Sequence, residues 1–232
     1  MSIFSTQNFI LLVAAFVNLF MTFFVFRRGI KNKINLYFGL LTFFNFTWSL
    51  GLLISRSIEN ISLVAIVARS TYISALAIVI FLFYFVHHFP YQAEKLKIYT
   101  HIFILFPAII LSFIVYTKFF ILDTVRAYSN LEYISYYNKS GFFLYAIYFV
   151  IIAILALKKL FKKYNLSEGL LKQQIKMLLV SIIIGLLFGS YFDLFIQYFN
   201  DYRFNWLGPI FTVLMNFIVF FFVISPKEKI NG

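Results

Sequence analysis

One carboxylate lies inside a long apolar stretch, and it is the feature of this sequence best suited to chemistry. Asp193 occurs in LLFGSYFDLFIQYF, residues 186–199. An unpaired carboxylate at membrane depth costs a few kcal/mol, so another group must hold it there. Arg69, in the apolar stretch IVARSTYISA, carries the opposite charge. The two residues are natural partners, because each would remove the other's unpaired burial.

Two interpretations of these charges stay open. In one, Arg69 and Asp193 pair and frame a pocket open to the outside or to the outer leaflet. The polar residues near them could supply hydrogen bonds there: Tyr72, Ser74, Ser190, Tyr191 and Gln197. On this hypothesis the ligand-binding residues are Arg69, Tyr72, Asp193 and Gln197. In the other, both charges reach the headgroups separately along their stems, and no pocket exists.

The sequence contains no recognisable catalytic constellation. HExxH, GxSxG, paired metal-binding aspartates and glycine-rich phosphate loops are all absent, and so is cysteine. His87, His88 and His101 share one face of the membrane, but adjacent helical residues point about 100° apart and cannot easily serve one metal. We therefore expect no catalytic residues, no metal and no cofactor, and we do not expect this chain to be an enzyme.

The composition indicates a membrane protein. Of the 232 residues, 62% are hydrophobic and only 12% are charged, whereas soluble domains contain about 25% charged residues. The net charge of +12 would suggest nucleic acid in a soluble protein. Here we attribute the charge to basic cytoplasmic loops and expect no nucleic-acid partner. The abundance of Phe, Ile, Lys and Asn suggests a prokaryotic genome.

Seven apolar segments have, or nearly have, the 17 to 25 residues that a membrane helix needs. They predict an all-α seven-helix bundle forming a single domain over residues 1–232, because backbone groups in lipid must pair within a helix. The segments are 9–26, 36–55, 61–87, 99–117, 141–157, 177–199 and 208–224. A retinal protein of this topology would need a lysine in the seventh segment, and none is present there.

The distribution of basic residues predicts the orientation. Fourteen lysines and arginines fall in one set of loops and five in the other, and Arg69 lies within the third segment. The positive-inside rule therefore places the N-terminus outside and the C-terminus in the cytoplasm of a multi-pass cell-membrane protein. At 1.5 Å per residue, Arg69 lies about 12 Å and Asp193 about 9 Å from the outer ends of their segments, at similar depth.

Other polar or small residues predict contacts between helices. Asn18 and Asn45 both fall near mid-membrane, and a hydrogen bond between them would contribute about 1 kcal/mol. Gly185 and Gly189 form a GxxxG motif, which permits close helix packing and leaves a homodimer open as an alternative. A single hydrophobic sequence of this kind is weak evidence for dimerisation.

Two extramembrane stretches have predicted roles. The outer loop 118–141 contains four tyrosines, which indicate either an interfacial belt or a lid over a pocket. The basic loop 158–176 would contact the anionic lipid bilayer or a soluble partner. We expect Asn165 or Ser167 to cap a helix that then continues into the sixth segment.

Several stretches together are similar to a known family. They are RRGIKNKINLYFGLLTFFNFTWSLG with Asn18 before it, ARSTYISALAIVIFLFYFVHHFP, LLKQQIKMLLVSIIIGLLFG and FNWLGPIFTVLMNFIVFFFVI. This succession resembles the seven-helix sensory region at the N-terminus of some bacterial sensor histidine kinases, over essentially the whole chain. The resemblance implies a membrane sensor whose last helix continues into a cytoplasmic signalling domain.

The sequence differs from that family after Ile224, where only SPKEKING follows. We expect either a truncated kinase or a separate sensor that acts through a cytoplasmic kinase or regulator. The predicted function is therefore a membrane sensor that detects an outer-side or lipid-phase ligand and passes the signal through its helices. The alternative, from another class, is a small membrane transporter or permease subunit, although no convincing internal repeat supports it.

Overall fold

The computed structural model describes residues 5–90, 95–126, 133–199 and 203–221. Seven helices make up the bundle, as the sequence predicts. They are α1 (Thr6–Arg27), α2 (Lys33–Ser57), α3 (Ile61–His88), α4 (Ile98–Ile114), α5 (Lys139–Leu166), α6 (Gly169–Tyr198) and α7 (Gly208–Val219). Within α6, residues Tyr191–Phe195 are π-helical. Two short strands, β1 (Ile121–Arg126) and β2 (Tyr133–Tyr137), lie between α4 and α5.

Five helices are long and apolar enough to cross a membrane: α1, α2, α3, α5 and α6. The other two, α4 with 17 residues and α7 with 12, are shorter apolar helices within the described part of the chain. The predicted end of the seventh segment, residues 222–224, lies outside the described residues. The all-α seven-helix membrane bundle is thus confirmed, whereas its orientation stays a prediction.

The predicted basic loop 158–176 is helical except at its centre, although the predicted early start of the helix that leads into the sixth segment is confirmed. Helix α5 continues to Leu166 and α6 begins at Gly169, so only Ser167 and Glu168 separate two long helices. Ser167 ends α5 instead of starting α6, and Glu168 precedes α6 without a side-chain capping hydrogen bond. The amphiphilic lysine-rich sequence favours helix on both sides of the turn, and Gly169, at φ +57°, permits the sharp reversal.

Helix α3 lies at the centre of the bundle. It packs against α2, α4 and α5, while α1 packs against α2 and α7, and α6 packs against α5 and α7. Gly185 of α6 lies against Met215 of α7, where an added Cβ would come within 2.9 Å of Sδ. Gly189 faces Thr212 of α7. The GxxxG motif therefore serves packing within the chain, which removes the sequence basis for a homodimer through it.

The predicted outer loop forms a β-hairpin. Strands β1 and β2 are antiparallel, with Val125 opposite Ile134 and an irregularity between Ile121 and Asp123. Phe120, directly before β1, is fully buried, and its ring lies 5.0 Å from that of Tyr72. Among the described tyrosines of this loop, Tyr133 is buried and Tyr136 is exposed. The hairpin is therefore packed on the bundle and is not simply a belt of interfacial tyrosines.

Polar clamps hold both ends of the bundle. At the hairpin end, the Arg56 guanidinium donates to Asn8 Oδ1 at 3.2 Å and to Asn205 Oδ1 at 3.1 Å, and also to Gln7. At the opposite end, Lys163 Nζ donates to the carbonyl oxygens of Val86 (2.6 Å), His87 (2.7 Å) and Phe89. A cation at the C-terminus of α3 satisfies carbonyls that the helix itself leaves unpaired.

The predicted Asn18–Asn45 hydrogen bond is wrong. Asn18 Oδ1 accepts from Asn216 Nδ2 at 2.8 Å, which joins α1 to α7. Asn45 Nδ2 instead donates to the Leu41 carbonyl of its own helix at 2.9 Å. Further along these helices from the Arg56 clamp, α1 and α2 are joined by the hydrogen bond that Thr22 and Thr42 share at 2.9 Å. The depth of a residue along its helix does not determine which helix its side chain faces.

The Asn18–Asn216 contact predicts a specific energetic coupling. In a double-mutant cycle, Asn18→Ala and Asn216→Ala should be coupled by about 1 kcal/mol in the free energy of unfolding, because they share one interhelical hydrogen bond. Unfolding of the purified protein in detergent measures this coupling. The matched cycle of Asn18→Ala with Asn45→Ala should be additive, and coupling there instead would contradict the structure.

The Lys163 clamp predicts unequal effects of two neighbouring lysines. Lys163→Met should lower the free energy of unfolding by about 1–3 kcal/mol, because three buried carbonyls lose a charged donor. Lys162→Met makes the same chemical change at an exposed position and should change the stability by less than about 0.5 kcal/mol. Equal effects of the two substitutions would show that Lys163 does not cap α3.

Candidate functional site

A chain of hydrogen bonds joins three of the predicted site residues. Tyr72 Oη of α3 donates to Gln197 Oε1 of α6 at 2.6 Å, and Gln197 Nε2 donates to Asp193 Oδ1 at 3.3 Å. Tyr137 Oη of strand β2 also donates to Gln197 Oε1, at 3.1 Å, and shares a hydrogen bond with the Tyr72 hydroxyl. Gln197 therefore connects the hairpin, α3 and the carboxylate.

Asp193 lies in the π-helical segment of α6. Its backbone hydrogen bonding differs from the α-helix on either side: the Ile196 amide donates to the Tyr191 carbonyl. Asp193 and Gln197 lie four residues apart and share the inward face of the helix, with exposed fractions of 9% and 4%. Tyr191 and Phe195 are 48% and 57% exposed. Short π segments are rare within helices and often occur at functional sites.

A cavity lies beside this carboxylate. It is partly open to the surroundings, and its walls come from α2, α3, α5, α6, α7 and β2. Most of the lining is apolar, including Leu52, Ile78 and Met215. Helices α3 and α6 face each other across this space. Among the described residues that line the cavity, Asp193 is the only carboxylate and no lysine or arginine is present.

Helix α7 begins directly against the carboxylate. A Cβ added at Gly208 would lie 1.7 Å from Asp193 Oδ2 and 3.0 Å from Cη2 of Trp48. Only glycine therefore allows the first turn of α7 to approach so closely. The positive end of the α7 dipole favours negative charge at this position. Asp193 Oδ2 is nevertheless buried without a hydrogen-bond partner in the described part of the chain.

The predicted Arg69–Asp193 pair is wrong. Arg69 donates to the carbonyl oxygens of Tyr116, at 3.1 Å, and Ile121, at 3.4 Å, and does not line the cavity. Tyr116 follows the C-terminus of α4, where carbonyl groups lack partners within the helix and attract cations. Arg69 is also not independent at the headgroups, because it fastens α3 to α4 and to the base of the hairpin.

The remaining polar candidates divide between the cavity and its exterior. Ser190 lines the cavity, and its hydroxyl donates to the Leu186 carbonyl of α6. Ser74 accepts a hydrogen bond from Thr47 of α2 at 3.0 Å and lies outside the lining. Sequence reasoning missed Trp48, Gly208 and Tyr137. The Gly-Pro pair at the start of the seventh segment was the one available signal for a close approach of α7.

The histidines lie at the opposite end of the bundle. His88 stacks on Tyr37 with ring centroids 5.3 Å apart, and His101 Nδ1 shares a 2.8 Å hydrogen bond with the Tyr84 hydroxyl. Lys159 Nζ lies 3.5 Å from His87 Nδ1. Over the described ranges, no three His, Cys, Asp or Glu residues cluster as metal ligands. These side chains fasten α3 to α2, α4 and α5.

The fold and cavity define the class of protein: a multi-pass membrane bundle with an internal cavity near one end. The family model for the N-terminal seven-transmembrane region of histidine kinases matches residues 10–226. The chain belongs to this family, which consists of membrane sensory input regions. No curated protein and no solved structure matches the chain. The family supports the sensor prediction over the transporter alternative.

The geometry of the site predicts which residue pairs are coupled. Arg69→Gln and Asp193→Asn should have additive effects on the free energy of unfolding, because the two side chains have separate partners. Tyr72→Phe and Gln197→Leu should be coupled by about 0.5–3 kcal/mol, because they share a buried hydrogen bond. Unfolding of the four single and two double variants in detergent tests both statements. Strong coupling of Arg69 with Asp193 would restore the ion pair and contradict the structure.

Proposed function

We propose that the chain binds a small ligand in the cavity beside Asp193 and passes this event through its helices to a cytoplasmic kinase. Tyr72, Asp193 and Gln197 would form the polar part of the site, and Arg69 would hold the hairpin that covers it. The observation that carries the proposal is a buried carboxylate at a π-helical segment, beside a cavity within the bundle. Intramembrane ionisable groups of this kind usually mark functional sites.

The helices offer a mechanical route away from this cavity. Helix α6 runs for 30 residues from the basic end to Tyr198, a length of about 45 Å. Helix α7 begins on the Asp193 carboxylate and is joined to α1 by Asn216. A ligand that reorients Asp193 or Gln197 would therefore alter how α7 sits against α6. Differential binding to two such packings would shift their populations.

The partner would act at the basic end, which we predict to be cytoplasmic. The α5–α6 turn carries exposed lysines on both sides, whereas Lys163 is engaged by α3. These lysines would contact anionic headgroups or an acidic surface of the kinase. On this proposal the chain performs no phosphoryl transfer, and the signal leaves it as a change in helix position. The ligand would arrive from the outer side or from the lipid phase.

A glycine substitution tests the coupling between the site and the basic end. Gly208→Ala must displace Asp193 or α7, because the added Cβ would lie 1.7 Å from Oδ2. The chain has no native cysteine, so spin labels on cysteines replacing Ile30 and Leu170, both exposed, report α6 relative to the α1–α2 turn. Pulsed electron resonance in nanodiscs should show their distance distribution shifting by about 1–2 Å or more.

The matched control is Gly189→Ala, whose Cβ would make an ordinary 3.9 Å contact with Thr212 in the same α6–α7 interface. It should leave the distance distribution unchanged. If Gly208→Ala also leaves it unchanged in a correctly folded protein, the site is not coupled to the basic end and the proposed signalling route fails.

A further inference from the structure

One oxygen of the carboxylate beside the cavity lacks a hydrogen-bond partner, and the described lining residues do not supply one. Within the described residues, Asp193 Oδ2 is buried without a hydrogen-bond partner, while Oδ1 accepts from Gln197. The exposed fraction of the residue is 9%. Buried charges in proteins are normally paired, and buried polar atoms normally have a hydrogen-bond partner. For the ionised carboxylate the missing partner is a donor, and a cationic donor would also balance the charge.

No side chain in the described part of the cavity can supply that charge. The lining contains no lysine, arginine or histidine. Arg69, the basic residue closest in sequence to the lining residues of α3, donates instead to the carbonyls of Tyr116 and Ile121. A counter-charge for an ionised Asp193 would therefore come from outside the described side chains.

We propose that the ligand is an organic ammonium ion with an apolar body, and that its N–H group donates to the Asp193 carboxylate in the cavity wall. This inference rests on the proposed function, since it names the chemical class of the ligand for the same cavity. An anionic ligand would be repelled by the carboxylate. Divalent metal ions prefer several oxygen ligands, and the described residues offer no cluster of three acidic or histidine side chains.

The walls of the cavity suit such a molecule. Trp48, Tyr72, Tyr133 and Phe149 line it and present aromatic surface, which attracts cations. Leu82 and Met215 contribute apolar surface for the body of the ligand. The combination of an apolar lining with few polar groups is typical of small-molecule sites. The ammonium group could belong to a free amine or to the headgroup of phosphatidylethanolamine, because both present the same N–H donors.

The test uses three probes of the same shape: 2-phenylethylamine, 2-phenylethanol and phenylacetate. Trp206→Phe leaves Trp48, in the cavity wall, as the single tryptophan, so its fluorescence reports binding. In dodecyl maltoside, which carries no ammonium group, the amine should give a saturable change. Asp193→Asn should weaken its binding by about tenfold or more, as expected when a charged partner is lost. Asp123→Asn, the same change at an exposed residue of β1, should not.

The outcomes separate the two proposals. Equal binding of alcohol and amine, or equal amine binding by the wild type and Asp193→Asn, would overturn the ammonium inference while leaving the cavity as a ligand site. Absence of binding by all three probes would overturn it as well, whereas the spin-label experiment tests signalling independently.

Competition by added phosphatidylethanolamine would support a lipid headgroup as the source of the ammonium group, and amine binding without such competition would support a free amine. Asp193→Ala, checked for correct folding by gel filtration, provides a second variant in which the loss of amine binding can be measured.

Discussion

The burial of one carboxylate among apolar helices is the constraint around which the rest of the site is organised. Asp193 requires partners at a depth where water is scarce, and a π-helical segment aims it inward beside Gln197. Gly208 lacks a side chain where the carboxylate needs space, so α7 can begin directly on it. The same glutamine reaches Tyr72 and the hairpin. Gln197 and Asp193 together thus connect α3, α6, α7 and the hairpin.

The two ends of the bundle have different physical characters. Near the hairpin, α3 and α6 are separated by a cavity, and one oxygen of the carboxylate has no hydrogen-bond partner among the described residues. At the basic end, Lys163 occupies the carbonyls that end α3, and aromatic rings stack between α2, α3 and α4. A bundle with a partly open cavity near the hairpin can respond to a ligand there by moving long helices as units. This arrangement agrees with membership in a family of sensory input regions.

Hydropathy predicted the membrane class and the number of helices because lipid forces every spanning backbone to satisfy its own hydrogen bonds. It also drew attention to Asp193, Tyr72 and Gln197, since polar residues in apolar runs are conspicuous, and hydrogen bonds join these three side chains in the structure. Hydropathy did not predict which groups these polar residues contact. The depth of a residue along a helix does not determine the direction in which its side chain points around the helix axis. Arg69 donates to a carbonyl group at the end of α4 instead of to the carboxylate. The hairpin was missed because its strands are short and a tyrosine-rich loop has several interpretations.

Asp193 lies against the start of α7 and apart from Arg69, and the description of the site depends on this placement. Solid-state NMR of the protein in lipid, with labels at the Asp193 carboxyl, the Gly208 α-carbon and the Arg69 guanidinium, measures these relationships directly. The structure predicts a strong short-range correlation between Asp193 and Gly208, and no correlation between Asp193 and Arg69. A close contact between Asp193 and Arg69, with Gly208 remote from both, would contradict it.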